Sequence, residues 1–134
     1  IAEDVVAFLL QMAAAAKSGE IFIPKMPAVD IGTLAKVIVE NLGDQQTAIK
    51  YIGVRPGEKF HEVLISQDEL GRTVEFPKHF VILPYKFLLD QMPHLASYAR
   101  SDAKPTNKIY SSETAPKLKP EELKALLYKL GYFS

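Results

Sequence analysis

The residues best suited to chemistry lie in the run Arg55-Pro56-Gly57-Glu58. Proline fixes one backbone angle and glycine relaxes the next, so the run predicts a tight turn that ends a strand. A guanidinium can grip a diphosphate through two parallel hydrogen bonds, and a carboxylate three residues away can accept from both hydroxyls of a ribose. A surface turn in which Arg55 pairs with Glu58 or Glu62 fits the same spacing, and for so short a motif it is the more common case.

A second candidate is the proline-bounded loop that follows the run Ile21-Phe22-Ile23. Pro24 and Pro27 make this loop rigid, and Lys25 is its one lysine. Such a loop can press backbone groups against a flat base. It fits a plain sheet edge protected by proline equally well.

Other sequence patterns exclude several kinds of site. The pair His61-Glu62 begins like an H-E-x-x-H zinc motif, but Ile65 occupies the place of the second histidine, and no metal site is expected. None of the tyrosines is followed by a lysine four residues later, and no G-x-G-x-x-G run occurs. The chain therefore lacks both a dehydrogenase Tyr-Lys pair and a dinucleotide-binding loop.

Composition limits the partners of the protein. The 134 residues include 16 basic and 16 acidic ones, a balance that argues against nucleic acid or an anionic membrane surface as a partner. Cysteine is absent, which fits the cytoplasm, and no apolar run approaches the roughly 20 residues that span a bilayer. The chain opens without Met in a helical pattern, from which we expect a fragment of a longer protein.

The hydrophobic periodicity and the turn residues predict an α+β fold. Helices are predicted over residues 2–16, 32–42 and 58–66 and from Pro120 to Gly131. Strands are predicted over residues 20–23, 48–52, 72–76 and 79–83, and residues 84–108 are predicted to form an arm or a loop. The leucine stripe of the last helix is typical of a core or a subunit contact. It comprises Leu123, Leu126, Leu127 and Leu130.

Three motifs in this order resemble a known family. They are the run from Gly19 to Pro27, the pattern Asp30-Ile31-x-x-Leu34-Ala35 and the run from Ile52 to Ser66. Together they resemble the C-terminal part of bacterial UDP-N-acetylglucosamine 4,6-dehydratases of the 5-inverting kind. These are capsule, O-antigen and flagellin-glycan biosynthesis proteins of the extended short-chain dehydrogenase type.

The resemblance implies a C-terminal substrate-binding domain of a larger α/β Rossmann protein, with residues 1–91 binding a UDP-sugar and residues 92–134 forming an arm and a helix. It implies that Arg55 binds the diphosphate, that Glu58 binds the ribose, and that Pro24 and Lys25 lie near the uracil. It also implies a homo-oligomer in which NAD(P) and the catalytic residues belong to an N-terminal Rossmann domain outside this chain. The fragment alone is then expected to be inactive.

Two other interpretations stay open. A UDP-sugar epimerase of the same family would share the UDP-binding turn, and a noncatalytic domain could bind a nucleotide sugar or a protein. The tail also departs from the family, because Glu113-Thr114 stands where an asparagine is common. A contact between the tail and the substrate or a neighbouring subunit is therefore not carried over.

Overall fold

The computed structural model describes residues 2–17, 19–85, 95, 97–98 and 104–133. Three α-helices and a 3-10 helix at Gln67–Arg72 are interspersed with six short strands in this part of the chain. The helices are α1 (Ala2–Ala15), α2 (Ile31–Leu42) and α3 (Pro120–Lys129). The strands are β1 (Ile21–Pro24), β2 (Val63–Ile65), β3 (Thr73–Glu75), β4 (His79–Ile82), β5 (Lys104–Pro105) and β6 (Tyr110–Ser111). The chain forms two compact units, residues 1–25 with 63–110, and residues 26–62 with 111–134.

The first unit is built on an antiparallel sheet of four strands in the order β1-β4-β3-β5. Strand β4 lies between β1 and β3, so Phe80 is opposite Ile23 on one side and Glu75 on the other. Phe80, Val81 and Ile82 are all buried because β4 has a neighbour along both edges. A second, two-stranded sheet pairs β2 with β6.

Helix α1 packs through one face only. The Phe8 ring lies edge-on to the His79 ring with 6.0 Å between centroids, and Met12, one turn further on, faces the same cavity as His79. The large aliphatic residues at positions 5, 6, 9 and 10 are exposed. This helix therefore carries more apolar side chains than the described part of the unit buries.

The second unit is formed by α2 and α3. Asp30 caps α2, and its Oδ1 accepts a hydrogen bond of 2.8 Å from the N–H of Thr33. This bond and the one from the Thr33 hydroxyl lower the pKa of Asp30. The core comprises Val37, Leu123 and Phe133, with Val29, Leu34, Leu118 and Leu127 packed against it.

The predicted last helix is confirmed, and residues at both of its ends stabilise it. Pro120 occupies the first turn of α3, and the carboxylate of Glu122 accepts from the N–H of Lys119 at 2.8 Å. Gly131 follows the helix with φ of 76°. Of the leucine stripe, Leu123 is 3% exposed whereas Leu130 is 40% exposed, so the stripe is core at its beginning and surface at its end.

Two predicted elements are wrong. Residues 58–66 do not form a helix, because the backbone of Glu62 bonds to Ser112 through both its N–H and its carbonyl, and residues 63–65 pair with β6. Residues 48–52 do not form a strand, because no described strand pairs with them. The strands predicted near residues 20–23, 72–76 and 79–83 and the helices near 2–16 and 32–42 are confirmed.

The predicted division of the chain at residue 91 falls within residues 86–94, outside the described residues. Most of the predicted arm, residues 84–108, lies outside them as well. In the described chain, each compact unit combines two segments that are distant in sequence. The proposed division into a binding domain and an arm stays a prediction.

Leu123→Ala is expected to lower the free energy of unfolding by about 2–4 kcal/mol, because it removes a buried side chain from the small core of the second unit. The matched control Leu130→Ala, in the same stripe, should change it by less than about 1 kcal/mol. Urea unfolding followed by far-UV circular dichroism measures both. Equal effects of the two variants would contradict the assignment of the core.

Candidate functional site

The Arg55–Glu58 run folds as the turn that its sequence predicts. The N–H of Glu58 donates to the carbonyl of Arg55 at 3.1 Å, and Gly57 has φ of 88°. A hydrogen bond across four residues, with proline second and a positive φ third, defines a type II β-turn. Only glycine adopts that third position without strain.

The Glu58 side chain stabilises the turn that carries it. Its Oε2 accepts a hydrogen bond of 2.9 Å from the backbone N–H of Arg55. The turn is therefore closed from both sides, once through the backbone and once through the carboxylate. Oε1 of Glu58 accepts no hydrogen bond from a described residue and is available to a ligand.

The Arg55 guanidinium is exposed on this turn. Among the residues that the structure describes, no ion pair or side-chain hydrogen bond involves it. Arg55 therefore pairs with neither Glu58 nor Glu62 in this structure, although both lie within reach along the chain. The arrangement presents a free planar donor on a turn whose backbone is already ordered, which suits a phosphate-bearing ligand.

Lys25 differs from Arg55 because its charge is already paired. Its Nζ lies 2.6 Å from Oε1 of Glu75 and 4.9 Å from the centroid of the Phe80 ring. Its backbone N–H donates to the carbonyl of Lys78 at 3.0 Å. The ammonium and the backbone N–H of Lys25 are thus both used within the first unit.

Pro24 is the last residue of β1, where it pairs with His79. Strand β1 is an outer strand of its sheet, a place where proline blocks further strand pairing. Among the described strands the sheet edge of that alternative is present, and a contact between this segment and a base stays a prediction. Of the predicted ligand residues, Pro24 and Lys25 belong to the first unit, whereas Arg55 and Glu58 belong to the second and are brought together by their turn.

Large apolar side chains flank Arg55, and the sequence analysis did not single them out. Tyr51 is 76% exposed, Ile52 68% and Phe60 81%. The Tyr51 hydroxyl lies near the start of α2, because a Cβ placed on Gly32 would be 3.6 Å from it. Exposed apolar groups around one unpaired cation are typical of a binding surface, and the signal was the clustering of these residues within ten positions of sequence.

Aromatic rings line a cavity of about 330 Å³ in the first unit. The His79 ring stacks on Phe76 at 4.8 Å between centroids, and burial lowers the pKa of His79, with the charge of Lys25 adding to the effect. Burial also raises the pKa of Tyr98 to about 12, helped by its hydrogen bond of 2.8 Å to Glu20. No pattern in the sequence assigns His79 a role, because its partners come from separate segments of the chain.

Comparison with known proteins identifies the family. Residues 1–84 match the polysaccharide biosynthesis protein family, and the chain belongs to it. The chain is 43% identical to a UDP-N-acetylglucosamine 4,6-dehydratase (inverting) of Campylobacter jejuni over 66% of its own length. It is 31% identical to a UDP-glucose 4-epimerase of Rickettsia massiliae over 85% of its length. The resemblance to sugar-nucleotide enzymes of polysaccharide biosynthesis is thereby confirmed at the level of the family.

Other relatives match more of the chain. An uncharacterized membrane protein of Methanocaldococcus jannaschii is 35% identical over 96% of this chain. The X-ray structure of Pen from Bacillus thuringiensis superposes on 93% of the chain with a TM-score of 0.69 and 30% identity. The chain spans 37% of the archaeal protein, 25% of the dehydratase, 33% of the epimerase and 34% of Pen. Among the described residues, no helix has the length and apolar character that crossing a bilayer requires.

Gly57→Ala is expected to lower the free energy of unfolding by about 1–2 kcal/mol, because a side chain is strained at this positive φ. Gly71→Ala is the matched control, since a Cβ there meets no atom within 4 Å. Urea unfolding of both variants measures the difference. A Gly57→Ala protein as stable as the Gly71→Ala protein would contradict the turn geometry.

Acidification is expected to destabilise the first unit through His79. Because its pKa is lowered in the folded state, the unfolded chain binds the proton first, and stability is lost as the pH falls below the ordinary value of 6.5. His79→Phe keeps an aromatic ring and should flatten this dependence. Thermal unfolding between about pH 5 and pH 8 measures it. Each melting temperature is compared with that of the same protein at the upper pH. If it falls equally with pH in both proteins, His79 is not the responsible group.

Proposed function

We propose that this chain is the UDP-sugar-binding part of a 5-inverting UDP-N-acetylglucosamine 4,6-dehydratase of surface polysaccharide biosynthesis. The observation that carries the proposal is the guanidinium of Arg55, which has no partner among the described residues. It lies on a turn that the Glu58 carboxylate closes through the backbone N–H of Arg55. The relative from Campylobacter jejuni supports the choice of reaction. In this proposal Arg55 binds the diphosphate.

Glu58 is proposed to bind the ribose through Oε1 while Oε2 keeps the turn closed. One carboxylate oxygen has two lone pairs and can accept from both hydroxyls of a ribose. Pro24 and Lys25 are proposed to lie near the uracil. Because the Lys25 ammonium is paired with Glu75, backbone groups of this segment are the ones proposed to face the base.

The cofactor of the whole protein is proposed to be NAD(P), bound outside this chain. The residues of this chain do not fit a dinucleotide, because no G-x-G-x-x-G loop and no tyrosine followed by a lysine four residues later occur in it. The contribution of this chain is therefore binding and orientation of the substrate. A cytoplasmic homo-oligomer is proposed for the whole protein, on its resemblance to the family and the absence of cysteine.

A UDP-glucose 4-epimerase is the second candidate. It is favoured by the Rickettsia massiliae relative, whose match covers more of this chain than that of the dehydratase does. Product analysis of the full-length enzyme separates the two: a dehydratase releases water and yields a 4-keto-6-deoxy sugar, whereas an epimerase inverts C4 and keeps every atom. A full-length sequence lacking both a glycine-rich strand-turn-helix and a Tyr-x-x-x-Lys would instead favour a noncatalytic binding domain.

Arg55→Ala in the full-length protein is expected to weaken UDP binding by about 1.5–3 kcal/mol, because it removes a charge-assisted hydrogen bond. Arg55→Lys should recover part of this loss, since it keeps the charge but not the fork of donors. Lys50→Ala is the matched control, as it removes an exposed cation from the same segment. Isothermal titration calorimetry with UDP measures all three, and unchanged affinity of Arg55→Ala would defeat the assignment.

The 134-residue chain alone is expected to show no turnover of UDP-N-acetylglucosamine with added NAD(P), because the dinucleotide loop and the Tyr-Lys pair are absent from it. Mass spectrometry of the nucleotide-sugar pool detects loss of water with high sensitivity. Measurable product from purified chain would place an active site in these residues and contradict the proposal.

A further inference from the structure

Helix α1 carries large apolar side chains that the described part of the chain leaves open to solvent. Four of them are about half exposed or more, at 49%, 54%, 59% and 69% for Val5, Val6, Leu9 and Leu10. Among the described side chains of this helix, only Phe8 and Met12 are partly covered. A single exposed apolar residue is ordinary, whereas a contiguous group of them marks an interaction surface.

The four exposed residues lie together on one side of the helix. Successive residues of an α-helix are about 100° apart, so positions 5, 6, 9 and 10 span an arc of roughly 140°. Ala13 falls within the same arc. Asp4 and Gln11 are the only polar residues from position 4 to position 15, and both lie on the opposite side. We call the uncharged surface formed by these five apolar residues the α1 face.

Within the first unit, α1 packs through the margin of its apolar surface. The Phe8 ring meets His79, and Met12 lines the aromatic cavity, and both residues lie to one side of the α1 face. The centre of the apolar surface, around Val5 and Leu9, is uncovered. A helix of this length is only marginally stable by itself, because packing of the apolar side supplies most of the stability of a helix in a protein. This pattern is typical of a helix that is covered on its apolar side in the intact protein.

The length of the relatives indicates what covers this helix. The chain spans 37% of the archaeal relative, 25% of the dehydratase and 33% of the epimerase. Helix α1 belongs to the residues that match the family. Most of each relative lies outside the part that this chain matches, so a large body of the same polypeptide is available to pack against α1.

A second copy of the chain fits the α1 face less well. A helix of 14 residues is about 21 Å long and about 10 Å wide, so one face of it has a footprint of roughly 200 Å². A stable interface between separate chains buries about 800 Å² on each partner, which is well above this footprint. A contact within one polypeptide does not need so large an area, because the covalent connection keeps the two surfaces at a high effective concentration.

We propose that the rest of the full-length protein packs on the α1 face through a complementary apolar surface. The inference rests on the proposed function in one respect only, namely that this chain is part of a longer protein. Val5 and Leu9 form the centre of the contact. None of the residues of the α1 face belongs to the turn at Arg55 or to the loop at Lys25, so the contact and UDP binding can be tested separately.

The test measures the reactivity of a cysteine introduced on the α1 face. Leu10→Cys places a thiol there, and Leu42→Cys, at a position of α2 that is 61% exposed, is the matched control. Each variant is made in the full-length protein and in the 134-residue chain, which has no cysteine of its own. Reaction with DTNB is followed by absorbance, and the rate of the unsubstituted full-length protein is subtracted.

The Leu10→Cys thiol is expected to react about ten-fold or more slowly in the full-length protein than in the 134-residue chain, because a covered thiol reacts only after local opening. The Leu42→Cys thiol should react at rates within about two-fold of each other in the two proteins, since α2 is outside the proposed contact. Leu9→Cys is a second variant of the same face and should be protected like Leu10→Cys. Far-UV circular dichroism checks that each variant is folded.

Equal reactivity of the Leu10→Cys thiol in the two proteins would overturn the inference, and so would equal protection of Leu42→Cys. Protection that is already present in the 134-residue chain would also overturn it, and protection that is lost on dilution of either protein would assign the face to a second copy. Titration of the full-length protein with UDP reports separately on Arg55. Protected thiols without UDP binding contradict the proposed function only, and UDP binding with an unprotected thiol contradicts this inference only.

Discussion

The candidate site depends on a backbone conformation at Gly57 that other residues avoid. Its positive φ lets the chain reverse between Arg55 and Glu58, and the reversal brings the Glu58 carboxylate back to the N–H of Arg55. A carboxylate that bonds to the backbone in this way is not used to neutralise the guanidinium beside it. The same turn therefore does two things at once: it fixes the direction of the chain, and it leaves the charge of Arg55 free for a ligand.

The segments next to this turn are fixed by residues far away in sequence. Ser112 bonds to both backbone groups of Glu62. Ala28 forms a parallel bridge to Lys117, in which its N–H donates to the carbonyl of Pro116 and its carbonyl accepts from the N–H of Leu118. The stretch from Ser111 to Leu118 is thus the common support of the loop before α2 and of the end of the segment that carries Arg55. Residues 42–62 are exposed throughout, so this segment is held by hydrogen bonds rather than by buried side chains.

Sequence alone predicted the elements whose signals are local. Asp30 before α2 and Pro120 and Gly131 around α3 act within one helical turn, and the turn at Arg55 needs only its own four residues. The mistaken helix over 58–66 had a local pattern too, but its outcome was decided by pairing with β6, more than forty residues away. The ion pair of Lys25 could not be read from the sequence for a related reason, because its partner Glu75 is distant in sequence and close only after β1 and β3 flank β4.

Lys25, Arg72 and Arg55 differ in whether the charge of the side chain has an acidic partner. This difference distinguishes the two cations with a structural role from the one that is proposed to bind a ligand. Lys25 is paired with Glu75 and lies over an aromatic ring, so its charge is used within the sheet. Arg72 is balanced by Glu69 and donates to the carbonyl of Leu83, so its charge is also used within the first unit. Arg55 alone of the three has neither an acidic partner nor a hydrogen bond from its side chain among the described residues. Of the three, Arg55 is therefore the position at which an anionic ligand displaces no acidic partner and meets a planar fork of donors.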